Sequence, residues 1–135
     1  MDVRKRKTFT YIQDSGLILD ETGNTVAKGW AGHGPDKNNP ASQGSVSKGP
    51  LPCGLYAVGY WHDHPRLGPL AAELIQVEGE DFGRDAFFMH GASNDPQKFG
   101  QESEGCVVTP RVGRQQVANN KPWFVKVIAT QEVKG

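Results

Sequence analysis

A charge excess of either sign is missing from this chain: 15 lysines and arginines stand against 15 aspartates and glutamates in 135 residues. A nucleic-acid binder usually shows a basic face and a raised pI, so the balance argues against that class. Long apolar runs are missing as well, and no segment reads as a membrane-spanning helix. The one basic cluster, Arg4-Lys5-Arg6-Lys7, reads as a solvated tail. It could open a signal peptide, but Thr8 to Ser15 is mixed and polar where an apolar core should follow. Such a chain either works in the cytoplasm or is exported by a machine that reads no cleaved leader. Cysteine is scarce: Cys53 and Cys106 form no Cys-x-x-Cys and no zinc pattern. The two could pair in an oxidising compartment, which would block Cys106 as a nucleophile. Internal repeats and low-complexity stretches are lacking, and no pattern asks for a cofactor or a metal.

What is present is punctuation. Seventeen glycines and nine prolines recur at short intervals, and helix formers are not clustered. This composition suits one mainly β domain over residues 1–135 with functional loops. Alternating or β-branched runs predict strands at 8–12, 17–19, 25 to about 30, 55–60, 70–77, 86–90, 106–108 and 123–128. One short helix is expected after Val108, with Thr109 as N-cap, Pro110 at the first helical position and an end near Ala118. Gly113 should weaken it by about 1 kcal/mol relative to Ala. Residues 31–48 and 61–69 read as loops. In the second, His62-Asp63-His64 could ligate a metal if a third ligand arrived, but the plainer reading is a pair of surface loop histidines.

The chemistry concentrates in one run. Phe87-Phe88-Met89-His90-Gly91 is an apolar strand that delivers a histidine; a polar loop follows; Ser103-Glu104-Gly105-Cys106 then presents a cysteine ahead of Val107-Val108. A cysteine attacks as thiolate and needs a base or cation within reach, and two neighbouring strands joined by a loop can supply it. Cys106 is the candidate nucleophile and His90 its base or imidazolium partner. Gly105 permits close backbone approach, and the amides of Gly105 and Cys106 could face an oxyanion. A backbone carbonyl, Ser103, Ser93 or Asp95 could orient His90. Set against this, a cysteine before Val-Val can be plain core, and a strand-end histidine can be structural.

His-Gly, a loop, then Ser-x-Gly-Cys resembles the signature of YkuD-type L,D-transpeptidases. Gly32-His33-Gly34, Asn38-Asn39-Pro40, Gly49-Pro50-Leu51-Pro52 with Gly54-Leu55-Tyr56, and Phe82-Gly83-Arg84 narrow the resemblance to the type VI secretion L,D-transpeptidase effector family, from about Gly29 to the helix after Pro110. The resemblance implies a YkuD-like β-sandwich or curved sheet. It implies attack by Cys106 on a peptidoglycan stem tetrapeptide, loss of terminal D-alanine, and resolution of the thioacyl-enzyme by water or an amine. It implies a catalytic role for Ser103 beside Cys106, His90 and Gly105, while the residues read equally well with Ser103 shaping the turn through a side-chain to backbone hydrogen bond. Substrate contacts are expected from Gly91, His33, Asn39, Arg84 and Arg111, with Asp36, Asn38 and Arg114 as further candidates. Secretion machinery, an immunity protein and action in the periplasm of target bacteria are its implied partners and place. Two departures stand out: Glu104 occupies the usual histidine position, and Val108 stands where an arginine follows the cysteine by two. A sortase-like or phage or housekeeping cysteine acyl-transferase stays open, as does a non-catalytic cell-wall module.

Overall fold

The architecture follows from where strands end. The structure, a computed structural model, describes residues 7–92 and 103–131. It is mainly β: β1 (Thr8–Ile12), β2 (Leu17–Leu19), β3 (Thr25–Lys28), β4 (Trp30–Ala31), β5 (Gly54–Val58), β6 (His62–His64), β7 (Gly68–Glu78), β8 (Phe87–His90), β9 (Val107–Val108) and β10 (Phe124–Ile128), with one helix, α1 (Arg111–Asn120). The strands form a curved mixed sheet in the order β3-β2-β1-β10-β5-β7-β8-β9-β4, with β6 pairing β7. Two pairs are parallel, β1 with β10 and β8 with β9.

The strand expected over 25–30 is broken at Gly29 into β3 and β4, which occupy the two ends of the sheet. The sheet therefore curls until its ends meet in one stretch of chain. Gly29 is needed at that corner, because a Cβ there would run into the Val108 carbonyl. Its own amide donates to the Gly16 carbonyl at 2.8 Å. Inside the curl, Phe9, Tyr11, Ile18, Leu51, Tyr56, Met89, Val107, Val117 and Val125 make up much of the core.

Three expectations are corrected. Residues 61–69 are not wholly loop, since β6 pairs His62 with Ala71 and His64 with Gly68. Thr109 is not the N-cap: Pro110 holds that position, while Thr109 Oγ1 donates to the Lys28 carbonyl at 2.9 Å. The helix passes Ala118 and ends on Lys121 in the left-handed region. Gly113 is a packing device as well as a helix weakener: a Cβ there would lie 2.6 Å from Ala27 Cβ, so glycine lets α1 settle on β3. The loop 91–102 lies outside the described residues beyond Ala92, and with it Ser93 and Asp95.

Candidate active site

β8 and β9 run side by side in parallel, with Met89 level with Val107 and His90 with Val108. Cys106 precedes β9 by one residue and so stands level with Phe88, whose N–H donates to Cys106 Sγ at 3.3 Å. Alternation along β8 puts His90 on the same face as Phe88, one pleat further on. The parallel pairing thus places the two candidate residues on neighbouring stretches of chain.

His90 is 3% exposed, and its Nδ1 lies 2.8 Å from the Gly91 carbonyl. A carbonyl only accepts, so Nδ1 carries the proton and Nε2 of the neutral ring carries the lone pair. Among the described residues, the group bonded to Nδ1 is therefore a backbone carbonyl. Ser103 does not serve in that role: its hydroxyl donates to the Cys106 carbonyl (2.6 Å) and accepts from the amides of Gly32 (2.8 Å) and Gly105 (3.1 Å). One donor and two lone pairs are then all in use. The Gly105 amide is accordingly turned to Ser103 and away from an oxyanion, which leaves the Cys106 amide as the backbone donor beside the sulfur. Gly105 itself has φ 132, and a Cβ would meet Arg84 and Phe87 at 2.6 Å. Its carbonyl accepts from Leu51 N–H at 3.0 Å.

Burial pushes the Cys106 thiol up to about 11; the Phe88 amide pulls the other way, and the Glu104 carboxylate adds to the rise. A resting thiolate, expected from an imidazolium neighbour, is therefore disfavoured. Both cysteines are free thiols. Cys53 sits in a separate cleft of about 550 Å³ lined by Thr8, Gly54, Leu55, Glu78, Lys126 and neighbours, without a histidine. Its S–H donates to Gln13 Oε1 at 3.4 Å. Burial raises that thiol as well.

Arg84 is buried, with both terminal nitrogens on backbone carbonyls: Gln43 (2.5 Å) and Pro50 (2.8 Å) from one, Gly49 (2.9 Å) and Glu104 (3.0 Å) from the other. This guanidinium ties the cysteine turn to the 43–50 stretch, a bracing task unlike the carboxylate contact expected of it. Arg114 is also buried, donating to Leu70 (2.9 Å), Thr109 (2.6 Å) and Pro69 (3.3 Å) carbonyls. Gly91 lies against it, and a Cβ there would be 2.5 Å from its Nη1. Arg111 is exposed at the start of α1.

The 31–48 loop folds back on itself through turns at Gly34–Asp36 and Pro40–Ser42. His33 Nδ1 donates to the Ser103 carbonyl at 2.8 Å. Asp36 accepts from Ser42 Oγ, Asn38 from the Ala31 amide and Asn39 from the Ala41 amide. His33 ties the loop to the cysteine turn, and the other three side chains hold the loop's own fold. Val108 is fully buried between β8 and β4, so the position that holds arginine in the resembled signature is filled here by core packing. Among the described residues no group of three His, Cys, Asp or Glu side chains could hold a metal.

A family model described as the Tlde1 domain matches residues 25–133. That range takes in His90, Cys106, Ser103 and every bracing residue just described. A search of curated proteins found no match.

Proposed function

From the premise that this chain belongs to the Tlde1 domain family, a family of type VI secretion effectors, we propose that it is a cysteine enzyme acting on peptidoglycan stem tetrapeptides in the periplasm of target bacteria. The observation that carries the reading is the hydrogen bond from His90 Nδ1 to the Gly91 carbonyl, with the half-buried Cys106 thiol one residue before the parallel neighbour strand. It leaves the base-competent nitrogen of His90 as Nε2.

In the proposed reaction Nε2 takes the Cys106 proton as sulfur attacks the carbonyl carbon that precedes the terminal D-alanine. Because burial holds the thiol protonated at rest, deprotonation accompanies attack. The oxyanion meets the Cys106 amide. On collapse the C–N bond breaks, His90 returns the proton to the departing amine, and a thioester remains. Water then yields L,D-carboxypeptidation; an amine yields exchange or a cross-link. In either case His90 takes the incoming proton and sulfur leaves as thiol. Ser103, Arg84 and His33 position the turn, and Arg111 is the exposed cation for a stem carboxylate. Delivery by the secretion machinery and neutralisation by an immunity protein in the producing cell complete the reading.

Mass spectrometry of disaccharide-tetrapeptide after incubation tests it, with and without a D-amino acid and beside a Cys106→Ala control. Loss or exchange of terminal D-alanine with the wild-type protein alone is expected. Unchanged tetrapeptide under reducing conditions sinks the reading in favour of a binding module or another peptide substrate.

A further inference from the structure

Four rings stand in a row beside the candidate active site. Tyr60, His62 and His64 follow one another along the β6 segment, whose register on β7 shifts between His62 and His64, and ring contacts hold the three together. The Tyr60 and His62 ring centroids are 4.7 Å apart, and those of His62 and His64 are 5.8 Å apart. The His64 ring then meets Phe88 at 5.1 Å, nearly edge-on. Phe88 is the residue whose amide reaches Cys106 Sγ. The row therefore runs from Tyr60, 79% exposed, to Phe88, the residue next to the thiol through its backbone amide.

The β7 residues paired with the two histidines are small: His62 pairs with Ala71 and His64 with Gly68. The neighbouring residue Ala72 pairs with Met89, so β6 and the His90 end of β8 flank the same small-residue stretch of β7. The imidazoles are also fixed in complementary states. His62 Nδ1 donates to the Tyr60 carbonyl at 3.1 Å, which makes its Nε2 an acceptor. His64 Nδ1 accepts from the amides of Arg66 and Leu67, both at 3.1 Å, which makes its Nε2–H a donor.

A row of aromatic faces offering one acceptor and one donor suits an amino sugar. The C–H face of a pyranose packs on a ring, while hydroxyl and acetamido groups bond the imidazole nitrogens. We propose that Tyr60, His62, His64 and Phe88 form a glycan subsite that holds the amino-sugar residues of the substrate while its peptide stem lies over Cys106. This rests on the peptidoglycan reading above and adds to it recognition of the sugar.

The test compares disaccharide-tetrapeptide with free tetrapeptide as substrates of the wild-type protein and of the Tyr60→Ala/His62→Ala double variant, whose melting temperature is checked against wild type. The wild-type protein should prefer the glycan-bearing substrate through a lower KM, and that preference should fall about tenfold in the variant. Equal kcat/KM ratios in the two proteins overturn the subsite. In parallel, the unlinked disaccharide is titrated into wild-type protein and followed by the imidazole NMR signals. Saturable shifts of His62 and His64 are expected, and their absence also overturns the subsite. If wild type turns over neither substrate, the peptidoglycan reading has failed by itself, and the titration still decides whether the rings bind sugar.

Discussion

Cys106 accepts a hydrogen bond from the Phe88 amide, yet burial outweighs that donor and pushes its thiol up to about 11. The sign has a direct consequence. A raised pKa keeps the group protonated at neutral pH, so the thiolate fraction grows about tenfold per pH unit until the pH nears that value. In a Cys53→Ser background, the iodoacetamide rate at Cys106 should climb steadily from pH 7 through pH 10. A plateau already reached near neutrality would instead mark a preformed thiolate–imidazolium pair. The His90 tautomer has a local cause: the Gly91 carbonyl holds the Nδ1 proton, which leaves Nε2 as the nitrogen that the proposed base would use.

Between elements, Arg84 does the joining. It stands just before β8 and ties three stretches of chain: Gln43, the Gly49–Pro50 run and the cysteine turn at Glu104. Removing it strands those carbonyls, at about 1–3 kcal/mol for each group that water does not reach. Arg84→Ala should therefore cost at least about 3 kcal/mol in urea unfolding. Arg84→Lys should recover only part, because one ammonium cannot span the planar fork of contacts. Wild-type stability in either variant would show that the carbonyls find other donors. The same join explains Gly105, whose missing side chain leaves room for the Arg84 guanidinium and the Phe87 ring.

The whole molecule draws on more chain than the family match covers. Residues 25–133 carry the match, but β1 lies mid-sheet between β2 and β10 and contributes Phe9 and Tyr11 to the core. Gln13, fully buried, donates to the Leu51 carbonyl and accepts from Cys53. Deleting residues 1–19 should expose the β10 edge and open the core. We expect loss of the cooperative thermal transition and of near-UV circular dichroism, although every site residue is retained. A deletion variant that melts as wild type does would make β1 dispensable.

Much of this was legible from local pattern. The alternation of Thr8–Ile12 and Phe124–Ile128, the apolar approach to His90, and the Ser-x-Gly-Cys turn before Val107-Val108 pointed to strands and to the two candidate reacting residues. These follow from side-chain period and turn chemistry, which neighbours in sequence decide. The alternation of Tyr60, His62 and His64 was equally present, but hidden by turn residues on either side. What tertiary structure alone decided depends on pairing across the chain. The curl closes at Gly29 because β9 happens to lie there. Arg84 braces a turn because carbonyls from three stretches converge on it. Thr109 bonds Lys28 instead of capping α1, and Gly113 makes room for Ala27. The upward shift of the Cys106 thiol comes from the chain that folding packs around it, which no spacing of residues can carry.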